Sequence, residues 1–230
     1  MSIELLEQAA VALGPLCEEV VFLGGACIEL WITDPGAPAP RPTKDVDVVV
    51  DVASRLGYER FSERMRAQGF AEDSESAVIC RWRHARSGLL LDAMPVNPAI
   101  LALENRWQAA AVPHAMKRRL PSGAVIRAAT PPYLLATKLE AFADRGREDP
   151  ISSRDFEDVI TLIDTRAELL QEIGAAPGDV RAYLAQQLTE LQRIPDFLTM
   201  VAAMLRPDRA SQARVEAVVL PRLREIASSD

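Results

Sequence analysis

Asp45 and Asp47 stand two residues apart in the run Asp45-Val46-Asp47-Val48-Val49-Val50. In an extended chain this spacing puts both carboxylates on one face, roughly 7 Å apart at their Cα atoms. They repel unless a cation intervenes. Carboxylates converging from a strand are the hard oxygen ligands that Mg²⁺ takes when it also binds substrate phosphates. Asp92 follows Leu89-Leu90-Leu91, where a carboxylate is costly to bury without a cation or hydrogen bonds. Upstream, Gly24-Gly25 ends the apolar run Val20-Val21-Phe22-Leu23, a place where small residues let backbone N–H groups approach a phosphate. Each feature also has a bland reading: a wet strand face for Asp45 and Asp47, a fraying end for Asp92, and an ordinary turn for the glycines.

Several chemistries are excluded by counting and polarity. The segment Asp45-Val46-Asp47-Val48-Val49 also fits the D-x-D-x-(T/V) pattern of phosphatases that phosphorylate an aspartate, but here the apolar run follows the carboxylates instead of leading to them. Gly24-Gly25 is neither a Walker A loop nor a G-x-G-x-x-G fingerprint. Two histidines, His84 and His114, rule out an H-E-x-x-H zinc site. Three cysteines, Cys17, Cys27 and Cys80, have no C-x-x-C spacing and give no disulfide framework, which suits a reducing compartment.

The elements that must carry these residues follow from periodicity. Residues 3–13 read as an amphipathic helix, 20–23 as a strand, 26–32 as a helical turn or two, and 34–42, with four prolines, as a loop. Strand 45–52 precedes a helix over 54–68 that stops at Gly69. Strands at 77–84 and 89–96 flank a turn at Arg86-Ser87-Gly88, and a second hairpin over 110–119 and 124–129 turns at Pro121-Ser122-Gly123. The sheet is thus predicted to have five or six strands. From Thr130 and Pro131 the periodicity becomes helical, with further helices at 153–164, 179–193, 196–205 and 212–227. The expected class is α/β (α+β), a mixed-sheet lobe over 1–129 followed by a helical lobe over 130–230.

Of the 26 basic residues only Lys44, Lys117 and Lys138 are lysine, so a lysine at 138 stands out. Lys138 and Arg145 are seven apart on one helical face, a geometry suited to β- and γ-phosphates, or to a solvated stripe pairing with Glu140, Asp144 or Glu148. Between Asn105 and Arg127 lie Arg106, Lys117, Arg118, Arg119 and Arg127 and no acidic residue, against a net charge of −7. This segment is read as a hairpin able to take an RNA backbone, with Trp107 to stack on a base, or as an edge kept soluble by charge. His84, beside Arg81, Trp82 and Arg83, is expected to pack beneath a helix. The stripe Tyr183, Leu184, Leu188 and Leu191 is expected to be core. The first basic residue is Arg41 and no uncharged apolar run reaches about 18 residues, so neither a signal peptide nor a membrane span is expected, and a cytoplasmic location is.

Taken in order, Gly24-Gly25-Ala26-Cys27-Ile28-Glu29-Leu30, Arg41-Pro42-Thr43-Lys44-Asp45-Val46-Asp47, Asp92, residues 133–142 around Lys138, and Ser153-Arg154-Asp155-Phe156-Glu157-Asp158 resemble the AbiEii/AbiGii-type nucleotidyltransferase toxin family over about residues 20–170. That resemblance implies a fold similar to DNA polymerase β. It implies that Gly24 and Gly25 hold the triphosphate, that Asp45, Asp47 and Asp92 bind one or two Mg²⁺ ions, and that Lys138, Arg145, Asp155 and Asp158 serve the nucleotide. A nucleoside triphosphate substrate, an RNA acceptor such as a tRNA 3′ end, and an antitoxin partner are implied as well. Asp155 could equally orient Lys138 or Arg145. The competing expectations are a small-molecule acceptor such as an aminoglycoside, and a nucleotide-binding regulatory module without turnover.

Overall fold

Helix α1, Ser2–Leu13, forms where apolar residues recur at helical spacing, and Leu6, Ala9, Ala10 and Leu13 are buried along one side. Its leading N–H groups have no partner within the helix. A distant side chain supplies one: Glu29 Oε2 accepts from the backbone N–H of Ser2 at 3.0 Å and of Ile3 at 3.3 Å. These details come from a computed structural model that describes residues 2–102 and 105–228.

A 3₁₀ turn leads into β1, Val20–Leu23, all four residues of which are buried. After a second 3₁₀ segment, Gly25–Trp31, and the proline-rich loop come β2, Asp45–Val50, then α2, Arg55–Ala67, started by Ser54 accepting from the Gly57 N–H, then β3, Phe70–Glu72. β4 is Arg81–His84 and β5 is Leu90–Pro95; α3, Arg106–Ala111, is capped by Asn105, and β6, Met116–Arg119, pairs with β7, Val125–Ala128. The sheet has seven strands in the order β3-β4-β5-β2-β1-β7-β6. It is mixed: β2 runs parallel to β5 and antiparallel to β1. The chain thus has the expected α/β class.

Several expectations are corrected in extent. Strand β3 is only three residues long, too short to show an alternation, so the sheet gains a strand over the five or six expected. The strand expected at 77–84 begins at Arg81, after turns. The strand expected at 110–119 begins at Met116, because Asn105 accepts from the Trp107 N–H at 3.2 Å and starts a helix in its place. In the C-terminal part, the helix expected at 212–227 is divided into one helix at Arg209–Arg214 and another at Leu220–Ala227 by a π turn at Val215–Val219.

Contacts divide the chain into two units, one comprising the residues up to Leu30 with Arg41–Thr130, the other Trp31–Pro40 with the chain from Pro131 onward. The second unit holds α4, Pro131–Arg145, α5, Arg154–Thr165, α6, Leu169–Ala175, α7, Gly178–Leu191, α8, Phe197–Ala203, α9, Arg209–Arg214, and α10, Leu220–Ala227. Leu184, Leu188 and Leu191 of α7 are buried as the stripe predicts, but Tyr183 is only half-buried and does not belong to the core. The end of α5 is the centre of this unit's polar order. Its terminal carbonyls would otherwise be unsatisfied. The Thr165 carbonyl accepts from the Thr33 and Asp34 N–H groups, while Arg222 donates to the Ile163, Asp164 and Arg166 carbonyls. Arg214 joins the carboxylates of Asp34 and Asp164 at 2.6 and 2.8 Å. Cations at a helix C-terminus also favour its dipole.

Replacing Glu29 with Ala should remove the cap on α1 and lower stability in urea denaturation by about 1 kcal/mol, with Glu29→Gln, which keeps an acceptor oxygen, costing less. An unchanged midpoint in the Ala variant would show that the cap contributes nothing.

Candidate functional site

The sheet register brings the carboxylates together. In the parallel pair β2–β5, Asp47 lies directly opposite Asp92, and in the antiparallel pair β4–β5, Arg81 lies opposite the same Asp92. Directly opposed residues share a face of the sheet, and Asp45, two residues from Asp47, shares it too. The Arg81 guanidinium donates through Nε to Asp92 Oδ1 at 2.8 Å and through Nη2 to Asp92 Oδ2 at 2.8 Å, and the same Nη2 donates to Asp45 Oδ2 at 2.5 Å. The hydrogen bonds that Arg81 donates to Asp92, reinforced by the charges of Asp92 and Asp45, push the Arg81 pKa up against the opposing effect of burial. Thr43 donates its hydroxyl to the other oxygen of Asp45, Oδ1, at 3.0 Å. Asp45 is therefore held at both oxygens.

Gly24 is indispensable to this arrangement on two counts. Its φ is +73°, in the left-handed region, and a Cβ added there would sit 1.8 Å from Asp47 Oδ2. The missing side chain is the space that the Asp47 carboxylate occupies. Cys80, beside Arg81, is buried, and burial first and then the charges of Asp92 and Asp47 push its thiol up to about 12. It is an inert neighbour.

Among the described residues no three carboxylate, histidine or cysteine side chains form a ready ligand set for a metal ion. Arg81 explains why for two of the candidates, since Asp45 and Asp92 both aim an oxygen at its Nη2. The donor chemistry nevertheless suits a hard divalent cation: carboxylates on adjoining strands, with the glycine cradle making room for one of them.

In the helical unit, α4 and α5 assemble a second charged cluster. Lys138 Nζ reaches Asp155 Oδ1 at 3.0 Å and Asp158 Oδ2 at 2.6 Å, and Arg145 reaches Asp155 Oδ2 at 2.8 Å. Lys138 pairs with these aspartates, three residues apart on α5, and its stripe is not the solvated one that Glu140, Asp144 or Glu148 would make. Burial raises the Asp155 pKa, but the charges of Lys138 and Arg145 and their hydrogen bonds outweigh it and hold the carboxyl below its ordinary value. Asp155 orients Lys138 and Arg145 together. Arg145 remains exposed over most of its side chain, while Arg154 points to solvent outside the cluster.

The basic segment is corrected by the structure. Trp107 is 3% exposed, with Arg106 stacked on its ring at 4.7 Å, so it offers no face to a base. Arg118 donates to the Leu30 carbonyl at 2.9 Å and Arg127 to the Val112 carbonyl at 3.0 Å, leaving Lys117 and Arg119 as the exposed cations of β6. His84 is also corrected: it lies against Phe70 and hydrogen-bonds Ser87 within its hairpin.

Sequence reasoning overlooked Arg81 and Thr43 as members of the carboxylate site. Thr43 was adjacent in sequence. For Arg81 the available signal was an arginine on the strand antiparallel to the one that carries Asp92, a signal that needs the register to be read.

The family model described as nucleotidyl transferase AbiEii toxin, type IV TA system, matches residues 5–225. Among solved structures, a protein from H. pylori provisionally assigned as a nucleotidyltransferase is similar at 11% identity, covering 98% of this chain and 91% of that one, with a TM-score of 0.42. That likeness adds nothing to the argument about the site. No curated protein sequence matches the chain.

Gly24→Ala should destabilise the protein by at least about 1 kcal/mol from the left-handed backbone alone, with the collision at Asp47 adding to it; a denaturation midpoint equal to the parent's would contradict the cradle. Asp155, whose carboxyl is held low in the fold, contributes stability above the ordinary carboxylate range that is lost as pH falls through its folded value. Asp155→Asn should therefore be less stable at pH 7 and lose less stability below about pH 4; parallel pH–stability curves would contradict it.

Proposed function

We propose that this chain, which belongs to the AbiEii nucleotidyltransferase toxin family, transfers a nucleoside monophosphate from a nucleoside triphosphate to a hydroxyl of RNA, with Asp45, Asp47 and Asp92 as its catalytic carboxylates. The observation that carries this reading is the register that sets Asp47 opposite Asp92 with Asp45 on the same face. Asp45, Asp47 and Asp92 are the residues that would hold a divalent ion, which when bound supplies positive charge to the triphosphate. The turn at Gly24 and Gly25 offers backbone N–H groups for the phosphates. The acceptor hydroxyl oxygen bonds to the α-phosphorus, the α–β phosphoanhydride bond breaks, and pyrophosphate leaves with the bonding pair. The hydroxyl proton passes to a carboxylate oxygen of Asp92.

In the helical unit, Lys138 and Arg145 are assigned to phosphate oxygens, with Asp155 and Asp158 fixing the lysine. Arg145 is the more exposed of the two cations and can turn toward an anion at little cost. The functional division proposed is a catalytic lobe over 1–129 and a helical lobe over 130–230, with Trp31–Pro40 of the first stretch clustering with the second unit. The family's type IV toxin–antitoxin setting implies an antitoxin partner. No helix is long and apolar enough to cross a membrane among the described residues. RNA is preferred as acceptor on the resemblance and on the exposed Lys117 and Arg119 of β6.

The test supplies the protein with each of four α-labelled nucleoside triphosphates and Mg²⁺, together with total RNA or a panel of aminoglycosides. Label should enter RNA, and Asp45→Asn and Asp47→Asn should lower it by about a hundredfold or more, the scale expected when electrostatic stabilisation of the transition state is removed. Label in an aminoglycoside alone would replace the acceptor; no label anywhere would overturn the reaction. Lys138→Ala should raise the triphosphate concentration needed for half-maximal rate. Changing Lys117 and Arg119 together to Ala should flatten the salt dependence of RNA binding, by about 0.7 in log–log slope for each phosphate that is no longer neutralised.

A further inference from the structure

A single nitrogen of Arg81 is the point on which Asp45 and Asp92 converge: Nη2 lies 2.5 Å from one Oδ2 and 2.8 Å from the other. Two carboxylate oxygens aimed at one spot from neighbouring strands form the beginning of a cation site, and here the cation is part of the chain. Hard divalent ions approach carboxylate oxygens to about 2.0–2.1 Å for Mg²⁺. An ion bound to these two oxygens would overlap the guanidinium, so the two cations exclude each other. Each must be displaced for the other to bind.

The backbone under Arg81 is not free to withdraw. Arg81 stands in the antiparallel ladder with β5, opposite Asp92, and its N–H donates to the Val78 carbonyl at 3.2 Å. The movement must come from the side chain, which has 17% of its surface open to solvent and two sets of bonds of unequal reach. The link to Asp92 is a two-point fork, whereas the link to Asp45 is a single contact from the far nitrogen. The guanidinium carries several donors, so it can keep Nε on Asp92 while Nη2 turns away. Asp45 is in addition kept in place by Thr43 at its other oxygen, so it stays aimed when Arg81 lets go.

We propose that Arg81 is a resident competitor for the divalent cation: it bridges Asp45 and Asp92 while the site is unloaded, and when a divalent cation binds its Nη2 leaves both Oδ2 atoms while Nε keeps Asp92 Oδ1. This inference rests on the reading that these carboxylates hold such an ion. Its consequence is that the chain folds with part of the carboxylates' charge offset before any ion arrives, and that loading is weaker than the same carboxylates alone would allow.

The test measures Mn²⁺ binding directly, by electron paramagnetic resonance of free ion, on the full chain and on its Arg81→Gln, Arg81→Lys and Asp45→Asn variants. Breaking a charge-assisted contact of this kind typically corresponds to a factor of ten or more in an equilibrium constant. Arg81→Gln should therefore bind Mn²⁺ about tenfold or more tightly than the parent, with Arg81→Lys between them. Thermal melts supply a second readout that does not depend on turnover. Without metal Arg81→Gln should melt below the parent, and millimolar Mg²⁺ should raise its melting temperature by more than it raises the parent's. Binding by Arg81→Gln that equals or falls below the parent's, in protein that melts cooperatively, would overturn the competitor role. Should Arg81→Gln not fold without metal, Arg81→Lys decides: Mn²⁺ binding no tighter than the parent's overturns the role. If Asp45→Asn binds Mn²⁺ as the parent does, the carboxylate reading fails first and the competitor role with it.

Discussion

Three carboxylates on neighbouring strands cannot be packed into a sheet without a cation, and much of the first unit is arranged around that constraint. Two unit charges about 5 Å apart at an effective dielectric of about 20 repel by roughly 3 kcal/mol. Asp47 and Asp92 are opposed across one ladder, and Asp45 is two residues from Asp47. Arg81 answers the repulsion by bridging Asp45 and Asp92. The strand that carries it, β4, is the other neighbour of β5, and its register sets Arg81 opposite Asp92 from one side as β2 sets Asp47 opposite it from the other. On the other side of β2, β1 ends at Leu23 opposite Asp47, so that the next residue, Gly24, yields its side-chain space to that carboxylate.

The helical unit meets the same constraint with the charges exchanged. Here two aspartates on α5 and one lysine on α4 are mostly buried, and an exposed arginine completes the set. Removing one partner from a buried group of this kind leaves a charge without compensation, which costs more than the pair contributes. Lys138 is thereby held to one place, and the selective use of lysine in a chain otherwise rich in arginine acquires a physical meaning. A compact ammonium fits between two carboxylates three residues apart on a helix, where a planar fork would not.

Arginine serves a different purpose elsewhere. Arg118, Arg127 and Arg222 donate to backbone carbonyls, and Arg214 and Arg222 gather at the end of α5. A cluster of basic residues in the sequence is therefore not a charged surface by default. In the segment 105–127 four of the five cations, Arg106, Arg118, Arg119 and Arg127, engage an indole ring or a carbonyl, and Arg106, Lys117 and Arg119 are exposed to solvent.

The local order of the chain was legible in the sequence because periodicity and turn chemistry are local. The alternation at 45–50, the cap at Ser54, the turns at Gly88 and Gly123 and the leucine stripe of α7 all announce their elements. The motifs also indicated the family, since their order along the chain is itself information, and the match over residues 5–225 shows it. What the sequence could not contain was register. Strand β3 is too short to leave a pattern, and Trp107 is buried by a helix that starts at an asparagine cap where a strand had been expected. Arg81 is remote from Asp45 by 36 positions, and Thr165 from the proline loop by more. Hydrogen-bond partners at such separations are chosen by which strands and helices come to lie side by side, a decision made by the burial of whole elements and not by any one residue. Tertiary structure alone therefore decided that the carboxylates meet an arginine, and it chose among the partners open to Asp155 by setting Lys138 between that aspartate and Asp158.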